Sequence, residues 1–165
     1  MKRIVVVFDV CSSTTMIENL VQNDRVSDYV KLVHGFLAFL HMCKSTYRFS
    51  IYKYLGDGFI LLFEDRECID DILKFCDKPI YFSGQLIDWF KTSYLDSANL
   101  PREGITIGIA VGRISEIATI NIPGEEYVGR AINVACRLQK SLIELKHTNK
   151  VLLHTDAYSL ICGHL

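Results

Sequence analysis

The first apolar run of the chain, residues 4–8, most constrains the fold. Its sequence IVVVF is uninterrupted by polar residues and rich in β-branched side chains. A strand of this kind is typically buried on both faces and therefore lies inside a sheet. The run ends at Asp9, and Ser12, Ser13 and Thr14 follow as candidate caps of a helix. We therefore expect a sheet built around this strand, with a helix directly after it.

The rest of the chain alternates between helical and strand-like patterns. Apolar residues at helical spacing, with a break near Pro79, predict helices over residues 26–43, 66–77, 83–95, 131–145 and 156–161. Continuous apolar runs predict strands over residues 49–55, 59–63, 105–111, 114–122 and 151–153. Gly56-Asp57-Gly58 predicts a hairpin turn, and Pro123-Gly124 a turn after a second antiparallel pair. This order predicts an α+β fold with a ferredoxin-like βαββαβ core, whose antiparallel or mixed sheet carries helices on one face.

Composition narrows the classes of function. The 165 residues are half hydrophobic and carry a net charge of −1, which predicts one domain, residues 1–165. The chain has no Lys/Arg run, so we expect no nucleic-acid footprint and no membrane surface. No apolar stretch is long enough to cross a bilayer. Six scattered cysteines without a CxxC pair are typical of reduced thiols, and we expect a cytoplasmic protein.

Two carboxylates lie where strand-like runs end. Asp9 follows the first run, and Asp57 lies in the predicted hairpin turn. Taken singly, Asp9 is explained as a helix cap and Asp57 as turn chemistry. In a ferredoxin-like sheet, however, the end of the first strand and the hairpin tip can meet. Two carboxylates brought together repel each other unless cations neutralise them. The pair therefore predicts a site for two divalent cations, Mg²⁺ or Mn²⁺.

Three further polar side chains are candidates for substrate binding. Lys53 precedes the turn, and strict alternation would put it on the same face as Ile51; it is either a solvated lysine or a donor to a bound base. Asn133 and Arg137 are spaced to share one face of the helix predicted over residues 131–145. Such a pair can bind a ribose oxygen and a phosphate, although a polar outer face is the commoner use of such positions.

Four segments in this order resemble the class III nucleotide cyclase catalytic domain: FDVCSST, KYLGDGF, ITIGIAVGRI and EEYVGRAINVACRL. The resemblance implies that the chain converts a nucleoside triphosphate to a 3′,5′-cyclic nucleotide and pyrophosphate. It implies a head-to-tail homodimer with active sites at the interface. Asp9, Asp57 and the backbone carbonyl of Val10 would bind two divalent cations, and Asn133 and Arg137 would come from the other subunit.

The resemblance also bears on the choice of base. Lys53 and Glu126 fall at the family's base-reading positions. The form of residues 11–14 is more similar to the stand-alone pyrimidine cyclases of bacterial anti-phage (Pycsar) systems, which make cyclic UMP or cyclic CMP for a separate effector protein. A pyrimidine cyclase would need a bulky side chain in the space of a purine. Among the bulky residues before Lys53, which are Tyr47, Arg48, Phe49 and Tyr52, we expect Tyr47 or Arg48 to do this.

Some family features are replaced or absent. Longer members carry a triphosphate-binding lysine after the region that corresponds to Leu160, and here we expect Lys150 or Arg130 to substitute for it. Three alternatives stay open: an adenylate or guanylate cyclase, a degenerate cyclase-like nucleotide-binding module, and a metal-dependent nucleotidyl transferase or nuclease. Degenerate members usually lose an aspartate or the arginine, so the presence of Asp57 and Arg137 favours catalysis.

Overall fold

A computed structural model of the chain describes residues 1–64, 69–92, 104–117 and 126–162. The strands and helices, in chain order, are β1 (Lys2–Val10), α1 (Ser13–Gln22), α2 (Val26–Tyr47), β2 (Phe49–Tyr54), β3 (Gly58–Phe63), α3 (Ile69–Thr92), β4 (Ile105–Arg113), β5 (Ser115–Ile117), β6 (Glu126–Val128), α4 (Arg130–Glu144), β7 (Lys150–Leu153) and α5 (Thr155–Cys162). In the described residues, no helix is both long and apolar enough to cross a membrane.

Five of the strands form one mixed sheet in the order β2-β3-β1-β4-β7. The first four strands pair antiparallel, and β7 runs parallel to β4. The antiparallel order β2-β3-β1-β4 is that of a ferredoxin-like core, so the predicted fold class is confirmed. β1 lies in the middle, as its uninterrupted apolar run predicts.

Helices cover both faces of this sheet, not the one face expected. Val6 and Phe8 of β1 belong to a core shared with α1, α2, α3 and α5. Val5 and Val7 point to the opposite face, where they pack with Ala131 and Ala135 of α4. Side chains alternate along a strand, so a β1 that is apolar throughout has two faces to bury. We refer to the second side as the α4 face.

Two local expectations were wrong. α3 runs through Pro79 without ending there. Apolar residues before and after the proline, Phe75 and Ile80 among them, are packed into the core, and this burial holds the helix together. Ser12 lies at the N-cap position of α1 but makes no side-chain cap bond. Its backbone is left-handed, with φ 61° and ψ 22°, whereas a capping side chain needs the β region.

The expected second hairpin is also different. β5 pairs with β6, not with β4. β4 pairs with β1 along one edge, and β7 pairs with its other edge from Thr106 to Ile109. Residues 118–122 and the turn at Pro123-Gly124 lie outside the described residues. The short β5-β6 ribbon matters because it carries Glu126.

Candidate active site

Asp9 and Asp57 meet at one end of the central strands. Asp9 lies opposite Gly58 in the β1-β3 pair, so the hairpin tip is placed beside the end of β1. The tip is closed by the Leu55 amide, which donates to the Gly58 carbonyl at 2.8 Å. Gly56 takes φ +89° in the turn, a conformation that glycine adopts without strain. The predicted convergence of the two aspartates is therefore present in a single chain.

Gly58 permits this close approach. A Cβ atom at this position would lie 2.8 Å from Oδ1 of Asp9 and 3.2 Å from the carbonyl oxygen of Phe8. No ordinary side chain fits there without moving the Asp9 carboxylate or the β1 backbone. The glycine after Asp57 is thus needed for packing against Asp9.

The pKa of the Asp9 carboxyl group is strongly perturbed. Burial, followed by charge repulsion from Asp57 and a hydrogen bond with it, raises the pKa of Asp9 from 3.8 to about 7. Hydrogen bonds from the Val10 backbone and from Gln139 act in the opposite direction. Ionising Asp9 beside Asp57 is therefore unfavourable in the metal-free protein, and a cation bound between the two carboxyl groups would offset this cost.

The donor set at this point suits hard cations. Carboxylate and backbone carbonyl oxygens are ligands that Mg²⁺ and Mn²⁺ prefer, and Mg²⁺ sites commonly use only one or two carboxylates plus substrate phosphates and water. Val10 ends β1 one residue after Asp9. In the described part of the chain there is no group of three or more His, Cys, Asp or Glu that could hold a metal. Two carboxylates without a third acid fit a cation that shares its coordination shell with a triphosphate.

A buried amide supports Asp9 from behind, and sequence reasoning missed it. Gln139 is 8% exposed, and its Nε2 donates to the Thr106 hydroxyl at 2.8 Å and to Oδ2 of Asp9 at 3.5 Å. Thr106 is fully buried and lies opposite Asp9 in the β1-β4 pair. α4 comes this close to the sheet because Gly108 has no side chain; a Cβ there would lie 2.2 Å from the Ala135 carbonyl oxygen. A polar residue on the apolar stripe of α4 was the available signal.

A β-bulge in β2 changes the face on which Lys53 lies. Ile51 pairs with Leu61 but Lys53 pairs with Ile60, which leaves Tyr52 as the extra residue. Ile60 belongs to the core on the α4 face, so Lys53 lies on that face and not with Ile51. Strict alternation along β2 was the wrong assumption. The bulge places two successive side chains, Tyr52 and Lys53, on the same side as Asp9.

Lys53, Glu126 and Tyr52 form a polar cluster that joins β2 to β6. The Lys53 ammonium lies 2.8 Å from Oε2 of Glu126, and the Tyr52 hydroxyl lies 3.0 Å from the same oxygen. The Tyr52 hydroxyl also accepts from the Tyr127 amide and lies within hydrogen-bond distance of its carbonyl, both at 2.9 Å. The bond to Lys53 lowers the pKa of Glu126 and raises that of Lys53, so both are charged. The two residues expected to read the base are thus paired with each other.

Tyr47 and Arg48 lie elsewhere. Tyr47 ends α2 and packs edge-on against Phe75 of α3, with ring centroids 5.6 Å apart. Arg48 adopts a left-handed conformation after that helix and pairs with Asp71 at 2.9 Å. Both precede β2 at the end remote from Asp57. The expectation that either one shapes the base pocket stays a prediction, and Tyr52 is the bulky residue beside Lys53 in this chain.

Asn133 and Arg137 do not join the aspartates within one chain. Ala131 and Ala135 face the sheet, and each polar residue follows one of these alanines by two positions, about 200° around the helix. Both polar residues are exposed. Neither the Asn133 nor the Arg137 side chain forms a hydrogen bond or an ion pair with another described residue, although the Arg137 carbonyl accepts from the Ser141 hydroxyl. Their outward direction is the one that a site shared with a second subunit would require.

Lys150 and Arg130 occupy opposite ends of the sheet. Lys150 begins β7 opposite Thr106, and Thr106 lies opposite Asp9, so the three are level across neighbouring strands. Arg130 starts α4 and lines a cavity with Arg113, at the end of β4 far from Asp9. Of the two expected replacements for the triphosphate-binding lysine, only Lys150 is near the carboxylates.

Comparisons with known proteins find the same fold among solved structures. No protein-family model and no curated protein sequence matches the chain. Among solved structures, the guanylyl cyclase Cya2 is 12% identical with a TM-score of 0.77, over 98% of this chain and 78% of that one. The adenylyl cyclase CyaB from P. aeruginosa is 18% identical with a TM-score of 0.76, over 99% and 82%.

A third similar structure is that of a cyclase-like protein. It is a class III adenylyl cyclase-like ATP-binding protein from Pseudomonas aeruginosa, 13% identical with a TM-score of 0.76. The match covers 97% of this chain but only 34% of that one. At such identities the likeness establishes the fold alone: this chain has the fold of class III nucleotide cyclase catalytic domains.

Proposed function

We propose that this protein is a nucleotide cyclase, which converts a nucleoside triphosphate to a 3′,5′-cyclic nucleotide and pyrophosphate. The observation that carries the proposal is the contact between the Asp9 and Asp57 carboxyl groups on a class III cyclase fold. This contact costs free energy in the metal-free protein, and a divalent cation bound by both carboxylates would offset that cost. A purely structural role would not require two acids to lie side by side.

In the proposed mechanism, Asp9 and Asp57 hold two Mg²⁺ or Mn²⁺ ions with help from the Val10 carbonyl. When bound, such ions lower the pKa of a ribose 3′-hydroxyl and offset the charge of a triphosphate. The 3′-hydroxyl gives up its proton to solvent and its oxygen bonds to the α-phosphorus, while the bond from the α-phosphorus to the bridging oxygen breaks and that oxygen leaves as part of pyrophosphate. Arg137 stabilises the negative charge that develops at the α-phosphate, and Asn133 orients the ribose.

The active form is proposed to be a homodimer. Asn133 and Arg137 are exposed on the side of α4 that faces away from their own sheet, so a second chain must supply them to each carboxylate pair. Neither chain alone would then be active. Mixing Asp57→Ala with Arg137→Ala, each inactive by itself, should restore about a quarter of wild-type activity, because half of the dimers are mixed and each has one intact site. No recovery after subunit exchange would contradict the shared site.

The substrate is proposed to be a pyrimidine nucleotide, UTP before CTP. Tyr52 supports this choice, because the bulge brings its ring next to the Lys53-Glu126 pair and its hydroxyl bonds fix it there. A ring held at this position reduces the space available to a base. The product, cyclic UMP or cyclic CMP, would act on a separate effector protein in defence against phage. ATP or GTP, the substrates of the adenylyl and guanylyl cyclases of this fold, are the alternatives.

The test is a product profile. The purified protein is incubated with Mn²⁺ and each of ATP, GTP, CTP and UTP, and the products are separated by chromatography. We expect cyclic UMP or cyclic CMP, and loss of either product in Asp57→Ala with the fold intact by circular dichroism. Cyclic AMP or cyclic GMP as the main product would overturn the pyrimidine assignment but not the reaction. No cyclic product from any triphosphate would overturn the reaction itself.

A nucleotide-binding module without turnover is the second candidate. It is favoured by the separation of Asn133 and Arg137 from the carboxylates within one chain, and by the likeness to a cyclase-like ATP-binding protein. Calorimetric titration with a triphosphate in Mg²⁺ separates the two proposals. Tight binding with the triphosphate recovered intact would support the module, and binding followed by cyclic product would support the enzyme.

A further inference from the structure

Two adjoining cavities lie at the end of the sheet opposite the candidate active site. Lys2 pairs with Arg113 at this end and Asp9 with Thr106 at the other, seven residues along β1 or roughly 23 Å away. The larger cavity has a volume of about 630 Å³ and the smaller about 250 Å³. Both cavities are lined by Arg113 and by Asp156, one on the α5 side of the sheet and one on the α4 side, and we call the two together the edge groove.

The edge groove exists because β4 is longer than its neighbour β7. β7 pairs with β4 only from Thr106 to Ile109, so residues 110–113 continue without a strand on that side. α4 and α5 begin on either side of this free stretch, at Arg130 and Thr155. Residues 111–113 line both cavities, α5 lines the larger one and α4 lines the smaller one.

Positive side chains are concentrated in the edge groove without acidic partners. Lys2 and Arg113 lie directly opposite each other on neighbouring strands, an arrangement of like charges that is destabilising by itself. Arg130 lines the smaller cavity with Arg113. None of these three side chains forms an ion pair or a side-chain hydrogen bond with a described residue. The acid that lines both cavities, Asp156, has its Oδ2 3.5 Å from Nδ1 of His154.

We propose that the edge groove binds a small molecule that carries phosphate groups. Three cations face one acid there, so the empty groove carries an uncompensated positive charge that an anion would neutralise. The planar guanidinium groups of Arg113 and Arg130 match phosphate oxygens two at a time, and Lys2 adds a third charge. The combined cavities have the volume of a typical small-molecule site. This site is separate from the proposed catalytic centre and does not depend on it.

Titration with inorganic pyrophosphate tests the proposal. EDTA is present throughout, so that binding through divalent cations at Asp9 and Asp57 is removed. Calorimetry measures the affinity, and backbone amide NMR locates the site. We expect shifts at Gly112 and His154, and affinity lower by about tenfold in Arg113→Gln and in Arg130→Gln, since each loses one charge-assisted contact. Lys140→Gln, which removes a 74%-exposed lysine elsewhere on α4, is the matched control and should bind as the wild type does.

Several outcomes would overturn the proposal. One is the absence of pyrophosphate binding at millimolar concentration. Another is an affinity that falls no more in Arg113→Gln and Arg130→Gln than in Lys140→Gln. Amide shifts confined to the Asp9 end, or binding of an RNA oligonucleotide without any small phosphate, would also exclude it. Arg130→Gln changes only an exposed side chain at the start of α4, so it keeps the test decisive if Arg113→Gln fails to fold.

Discussion

Replacing Asp57 by asparagine should stabilise the metal-free protein at alkaline pH. Asp9 has its pKa raised from 3.8 to about 7 by burial and by Asp57. A carboxyl group whose pKa is raised by folding does not lower the free energy of unfolding when the pH is below the pKa of that group in the unfolded chain. Its cost grows as the pH rises from about 4 to about 7 and is complete above that range. Asp57→Asn removes the charge repulsion, so less free energy of unfolding should be lost across this window.

The magnitude follows from the same pKa values. The change from 3.8 to about 7 corresponds to about 4 kcal/mol at pH 8. Burial is the larger cause and Asp57 the next, so we assign about 1–2 kcal/mol to Asp57. For a chain of this length, that would raise Tm by about 2–8 °C. The gain should be present at pH 8 and absent at pH 5, where Asp9 is protonated in both proteins.

Thermal and urea unfolding in EDTA, at pH 5 and pH 8, measure this difference. Asp24→Asn is the matched control, since Asp24 is exposed with φ 53°, a conformation that asparagine also tolerates. Added Mn²⁺ should stabilise the wild type at pH 8 but not Asp57→Asn. A variant no more stable than the wild type at pH 8, or a gain that persists at pH 5, would refute the reasoning about the carboxyl pair.

Three other substitutions test the surroundings of the site. Gly58→Ala should displace Asp9, lower the free energy of unfolding by about 1–3 kcal/mol and weaken Mn²⁺ binding. Gly84→Ala on α3 is the control, because a Cβ atom there would have no atom within 4 Å. It should be neutral or stabilising in the same thermal unfolding measurements. Gln139→Leu removes the donor to the buried Thr106 hydroxyl and should lower the free energy of unfolding by about 1–3 kcal/mol. If stability in urea and Mn²⁺ affinity are both unchanged, the Gln139 amide does not position Asp9. Tyr52→Phe removes the hydroxyl bonds to β6 and should cost about 1 kcal/mol, and Tyr52→Ala should increase the share of purine product if the ring limits the base.

Local patterns in the sequence determined the main elements and the carboxylate pair. β1 could be predicted as a central strand because its apolar run needs burial on both faces, and the β2-β3 hairpin because glycines flank Asp57. The pairing of β1 with β3 then places Asp9 next to the tip of that hairpin. Helical spacing likewise predicted α4, with Ala135 and Leu142 on its apolar side, and both are buried.

The surroundings of that pair depended on the tertiary structure. The bulge at Tyr52 turned Lys53 to the α4 face, and strand alternation in the sequence does not reveal where one extra residue is accommodated. Gln139 became a partner of Asp9 only because α4 packs tightly over Gly108. The Tyr47 ring of α2 packs against the Phe75 ring of α3, a contact between two helices. The sequence by itself therefore determined the β2-β3 hairpin and the two acids that its pairing with β1 brings together. Which side chains support them depended on close packing between segments far apart in the chain.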